Sequence, residues 1–202
     1  MDIGEIRLRP DAMRPPVHIR RCYDRVTLAT FAKHYETNKP LPEALYTKIV
    51  AARKFRAAYQ TQRQVHFATV DLELHSSDFH PENGEESIFD REKKVAERTM
   101  AKKPFEKDRY LCSFVHVFAG MSYAAGYYSY KWAEVLSADA FSAFEDFISD
   151  DMAVREAGRR FRKTVLSSGG GVHPAEVFRE FRGRDPITVP LLKQAGIVCD
   201  SS

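Results

Sequence analysis

The sequence of 202 residues is poor in cysteine, and its Cys22, Cys112 and Cys199 are spread along the chain. An odd number of distant thiols excludes a disulfide framework and predicts reduced cysteines in an intracellular compartment. Long apolar runs are missing as well, since uninterrupted hydrophobic stretches last only a few residues, so no membrane partner is expected. Charge of one sign is scarce. The 31 basic residues stand against 28 acidic ones, and a net +3 predicts no nucleic-acid partner. Neither a strand-like alternation nor an internal repeat is visible. The first residues lack a charged-then-apolar signal pattern, which predicts a cytoplasmic rather than a secreted protein.

What is present is an ordinary globular composition, 44% hydrophobic and 29% charged, carried on helical periodicity. Residues 1–19 are the exception. Pro10, Pro15 and Pro16 interrupt any helix there, so an extended N-terminal arm is predicted, followed by a helical part over 20–198 and a tail over 199–202. Leu28, Phe31, Ala32 and Tyr35 share one helical face, and Leu45, Ile49, Ala52 and Phe55 another. A further helix is predicted from Ala57 to about Leu74, and the polar stretch from His75 to Glu86 predicts a surface loop. Ser87 is placed to cap a charged helix over 88–100. The apolar run 110–120 predicts either a buried strand or a buried helix end, with Cys112 as an inert buried thiol. A long helix over about 127–146 carries Trp132, Leu136, Ala140 and Phe144 as core. Asp150 or Asp151 caps the next helix, and Pro174 and Pro190 open two short ones. The fold class is mainly α.

One segment departs from plain core statistics. His116 is followed by Gly120 and then by Tyr123, Tyr127, Tyr128 and Tyr130. Residues 127 and 130 lie three apart and share a helical face, while Tyr128 points elsewhere. A phenol with a pKa of about 10 stays protonated at neutral pH, so two phenols beside an imidazole could donate to a developing oxyanion. The alternative is that these aromatics only fill a core. Other candidates carry less. His75 and His80 with Asp78 and Glu82 sit in a turn-rich loop, where scattered polar residues are a simpler account than a metal site. Ser168 to Gly171 lacks a Walker lysine and is expected to be an interhelical loop. Arg159, Arg160, Arg162 and Lys163 are expected on a solvated helix end, and Arg182 and Arg184 in ion pairs that fix a terminal turn.

The stretch CSFVHVFAGMSYAAGYYSYKWAEVLSADAFSAF, residues 112–144, resembles the substrate-binding segment of the thimet oligopeptidase/oligopeptidase A family of zinc peptidases, peptidase family M3. The resemblance extends upstream through AKHYETNKPLPEALYTKIV and downstream through the FRGRDP block, over about residues 21–198. It implies a multi-helix C-terminal portion of a zincin-type catalytic domain that hydrolyses short peptides with zinc-activated water. By the same resemblance, Tyr127 and Tyr130 bind substrate and stabilise the oxyanion. His116 lies near the scissile bond, and Tyr123 belongs to a glycine-rich loop opened by Gly120. Two departures stand out. Met121 and Ser122 stand where a glycine run is usual and make that loop one residue longer, and no histidine is followed directly by glutamate, so the HExxH zinc motif is absent. The expectation is therefore a fragment in which zinc belongs to the full-length family enzyme and none binds this chain alone. Its partners would be short peptides and the missing N-terminal half of the peptidase. Isolated, it would be inactive, either a helical peptide-binding module or a non-functional truncation. Family members occupy cytosol, mitochondria and plastids.

Overall fold

A computed structural model describes residues 23–120, 123–147 and 150–198; the arm over 1–19 and the tail over 199–202 lie outside the described residues. Among the described residues the helices are α1 (Arg25–Phe31), α2 (Glu43–Lys54), α3 (Ala57–Leu74), α4 (Ile88–Thr99), α5 (Val115–Phe118), α6 (Tyr128–Glu145), α7 (Asp151–Phe161), α8 (Pro174–Arg182) and α9 (Val189–Gln194). No β-strand occurs among them, and none of these helices is long and apolar enough to cross a membrane. The chain is mainly α. It divides into two compact units, one formed by Arg56–Trp132 and the other by the segments on either side.

Local chemistry sets the helix ends. The Ser87 hydroxyl accepts the Asp90 N–H at 3.2 Å while the Asp90 carboxylate accepts the Ser87 N–H at 3.2 Å, a reciprocal box that starts α4. Asp150 accepts the N–H groups of Met152 and Ala153 at 2.9 and 3.1 Å and starts α7. Pro174 opens α8, which stops at Gly183 with φ 74°. There a left-handed backbone suits glycine.

In the Arg56–Trp132 unit, α3 packs against α4. Buried His66 anchors the contact, its Nδ1 lying 3.0 Å from the Thr99 hydroxyl. That hydroxyl already donates its proton to the Val95 carbonyl at 2.7 Å. It can only accept from His66, which fixes the proton on Nδ1. The core consists of Phe67, Val70, Val95, Leu111, Phe114 and Val117. Each such side chain contributes about 1.5–3 kcal/mol by burial. The apolar run is neither a strand nor a continuous α-helix. It forms a 3₁₀ turn over Tyr110–Ser113 and then the single turn α5. A three-residue turn repeats every third side chain, so Leu111, Phe114 and Val117 all face inward. Cys112 falls between them and is exposed, which corrects the expectation of a buried thiol.

The other unit has an aromatic core. Phe144 and Phe181 both meet Phe161, with the Phe161 and Phe181 rings edge to face at 5.2 Å. Leu136 and Ala140 are buried as expected, whereas Phe144 is half-buried, as is Trp132, the last residue of the first unit. The apolar stripes of α1 and α2 are only partly covered among the described residues. Leu28 is buried, but Phe31, Tyr35, Leu45, Ile49 and Phe55 are exposed, and α2 has no buried residue. Polar contacts hold this region instead. Arg25 pairs with Glu43 at 2.8 Å, and the Tyr46 hydroxyl donates to the Tyr23 carbonyl at 3.0 Å.

Asp139 of α6 is fully buried and surrounded by donors. Arg184 reaches it with both terminal nitrogens at 2.6 Å, Arg182 Nε at 3.1 Å and the Ile187 N–H at 2.8 Å. The FRGRDP block is thus tied to α6 by ion pairs, as its arginines suggest. Burial pushes the Asp139 carboxyl up. The Arg184 hydrogen bonds, the Ile187 N–H and the charges of both arginines outweigh that and hold it below the usual carboxylate range. A carboxyl lowered in the folded state stabilises fully above its unfolded pKa of about 3.9 and loses that contribution as pH falls through the lower folded value. Asp139→Ala, which strands two arginines, is expected to destabilise the chain by about 3–5 kcal/mol in urea unfolding at pH 7. Asp139→Asn should flatten the acid limb of the stability–pH curve below about pH 4; an unchanged limb would show that this carboxyl does not carry it.

Candidate functional site

The aromatic segment after α5 is positioned by a second buried carboxylate. Asp71 lies on α3 four residues after Phe67 and has no solvent exposure. Its Oδ1 accepts the Ala125 N–H at 3.1 Å and its Oδ2 the Tyr127 N–H at 2.8 Å. These are the free donors ahead of the first turn of α6, so a side chain from a distant helix does the work of a cap. His75, one turn further on, places Nδ1 3.0 Å from Asp71 Oδ1 and 2.8 Å from the Asp71 carbonyl. Ala125 is held at φ 54°, a left-handed conformation rare for a residue with a Cβ.

The clamp sets Tyr127 in a cluster of rings. Tyr127 meets Phe114 edge to face at 5.0 Å and Phe67 at 6.0 Å. Tyr127 and Tyr130 rings are 5.2 Å apart, and the His116 ring lies 6.4 Å from the first and 6.5 Å from the second, all edge to face. The three residues expected to act together are therefore neighbours. They differ in access. His116 and Tyr130 are exposed, while Tyr127 is half-buried and its hydroxyl donates to Gln64 Oε1 at 3.0 Å. Burial raises the Tyr127 pKa, with smaller pushes from Tyr110 and Tyr130. The charge of Arg63 opposes the rise without cancelling it. The phenol is thus a neutral donor at physiological pH.

Tyr123 and Gly120 are exposed, and Gly120 has φ 148°. No ring contact places Tyr123 within the cluster. Residues 121 and 122, which stand between Gly120 and Tyr123, lie outside the described residues. A groove of about 200 Å³ lies elsewhere, between α4 and residues 103–109, and no tyrosine of the cluster lines it.

Metal ligation finds no support in the side chains. His75 turns to Asp71, and His80 pairs with Glu82 at 3.1 Å, so the polar loop holds two separate pairs. Among the described residues no three His, Cys, Asp or Glu side chains converge as a metal site. With HExxH absent from the sequence, the described residues do not fit a zinc centre.

Sequence reasoning missed Asp71, Gln64 and Arg63. A signal was there for the first. Asp71 interrupts the apolar face Phe67, Val70, Leu74 of α3, where a lone carboxylate needs a reason. Replacing it by alanine leaves two N–H groups of the turn without their acceptor, and hydrogen bonds to a charged group are worth about 1.5–3 kcal/mol each. Asp71→Ala is expected to lower stability by about 3 kcal/mol and to speed hydrogen exchange at the Ala125 and Tyr127 amides. Unaltered exchange at both amides would show that the clamp does not hold the turn.

Comparison with known proteins identifies the family. The profile of peptidase family M3 matches residues 21–197. The chain is 56% identical over 182 residues to the organellar oligopeptidase A, chloroplastic/mitochondrial, of Arabidopsis thaliana, covering 90% of this chain and 23% of that protein. It is 55% identical over 182 residues to the probable cytosolic oligopeptidase A of the same plant, covering 90% and 26%. Against oligopeptidase A of Salmonella typhimurium the identity is 41% over 179 residues, covering 87% and 25%. The chain spans about a quarter of the length of these curated relatives. With the M3 profile running over nearly all of it, the chain belongs to peptidase family M3.

Proposed function

We propose that this chain is the substrate-facing part of a metallo-oligopeptidase that hydrolyses short peptides, with zinc and its activated water supplied by residues this chain does not contain. The observation that carries the proposal is the packing of Tyr127, Tyr130 and His116 into one ring cluster with two members open to solvent. Tyr130 would donate its phenol proton to a peptide carbonyl directly. Tyr127 acts differently, because its proton already rests on Gln64. A neutral carbonyl offers little more than the Gln64 amide oxygen. An oxyanion is a stronger acceptor, so the exchange becomes favourable as charge develops. That preference for the transition state is what an oxyanion donor needs. His116 would line the same face, and Tyr123 with Gly120 would border it.

The partner supplying the zinc would be the N-terminal half of the peptidase. The exposed apolar side chains of α1 and α2, Phe31, Leu45 and Ile49 among them, suit such a partner. The second reading is a peptide-binding module without hydrolysis, favoured by the missing HExxH. Both readings share the site. Short peptides are expected to bind the 202-residue chain, and Tyr130→Phe should weaken them about fivefold, the equivalent of one hydrogen bond of about 1 kcal/mol. Titration by fluorescence anisotropy measures this, and indifference to the substitution removes the site. With added zinc and a quenched short peptide, this chain alone is expected to show no cleavage; metal-dependent turnover that survives contaminant controls would reject the assignment of the zinc centre to other residues.

A further inference from the structure

Arg63 precedes Gln64 on α3 and faces the same ring cluster. Its guanidinium carbon lies over the Phe67 ring at 5.2 Å from the centroid and over the Tyr110 ring at 5.7 Å. Those two rings stack on each other at 5.0 Å, so the cation rests on a rigid platform. The side chain is half-buried, and among the described residues no carboxylate comes within ion-pair distance of it. Comparable cations here are paired: Arg91 with Glu86, and Arg182 and Arg184 with Asp139. Aromatic faces attract a guanidinium through its flat side and leave the N–H edges, which lie in its plane, available. Such an edge matches a carboxylate with two parallel hydrogen bonds.

We infer that Arg63 is a carboxylate-binding subsite for peptides held by the tyrosine cluster, and that it selects ligands bearing a carboxylate near the bound carbonyl. The inference rests on the peptide site proposed above. Phe67 relates the two parts, since it carries Arg63 on one side and meets Tyr127 edge to face at 6.0 Å. An extended peptide advances about 3.3–3.6 Å per residue. The carboxylate would therefore fall within about three residues of the carbonyl at Tyr127. Either a free C-terminus or an aspartate or glutamate side chain supplies the same chemistry.

Three labelled pentapeptides titrated onto the full chain separate the cases: one with a free C-terminal acid, its C-terminal amide, and an amide with a glutamate near the C-terminus. The acid is expected to bind about tenfold more tightly than the plain amide, as a charged hydrogen-bonded pair allows. Tight binding of the glutamate amide as well would mean that the side-chain source also serves; weak binding would restrict the subsite to the C-terminus. Arg63→Gln should bring the acid down to the affinity of the amide, and Arg63→Lys should keep part of the preference. Equal binding of acid and plain amide by the wild type overturns this inference alone and needs no variant to fold. A preference that survives Arg63→Gln overturns it too. Failure of all three peptides to bind overturns it together with the site on which it rests.

Discussion

A carboxylate removed from water must be surrounded by donors, and each compact unit of this chain holds one that is. Asp71 receives two backbone N–H groups and neighbours a histidine, and Asp139 receives two arginines and a backbone N–H. Both are anchored in helices, and what they fasten is irregular chain: the turn ahead of α6 in one case, the residues after α8 in the other. Apolar burial is indifferent to direction and could not specify those segments. Hydrogen bonds at fixed angles can, and the energy at risk when one is lost keeps the geometry narrow. The placing of Tyr127 follows from the first of these carboxylates, because the residue whose N–H is held is the residue whose ring enters the cluster.

The tyrosine cluster combines two kinds of donor. The Tyr130 ring is open, and its hydroxyl has no hydrogen-bond partner among the described residues. Tyr127 is sheltered, has an internal acceptor, and is held neutral by burial. Their rings touch edge to face, an arrangement in which each fixes the tilt of the other. The polar neighbours on α3, Arg63 and Gln64, come from a single stretch of helix, so one element supplies the turn clamp, the internal acceptor and a cation with no carboxylate partner among the described residues, along the face 63, 64, 67 and 71.

Much of this was legible in the residues. The helix Ala57–Leu74 has the predicted bounds, and the Ser87 cap, the Asp150 cap and the two prolines act where they were expected. Local signals such as these do not depend on what packs against them. The buried carboxylates were less legible, since Asp71 and Asp139 sit among apolar neighbours and only the tertiary fold shows which donors arrive. The exposure of the stripes on α1 and α2 was illegible for a related reason. An apolar stripe says that a helix has a face to cover, and it does not say that the covering side chains belong to the same chain. Cys112 failed differently: its neighbours are apolar, but a repeat of three turns residues 111, 114 and 117 inward and leaves 112 outside. The Tyr127 and Tyr130 rings are neighbours, as a spacing of three suggests, yet the nearness of His116 and the bond to Gln64, 63 positions away, had no trace in it.

The left-handed alanine at position 125 has a consequence of its own. A residue with a Cβ loses about 1–2 kcal/mol in that conformation, so the chain would not choose it unaided. The turn is bent against its own preference and kept so by an anchor 54 positions earlier. Its shape is therefore borrowed from α3: whatever loosens that helix releases a spring beneath Tyr127, and the ring moves although nothing near it has been touched.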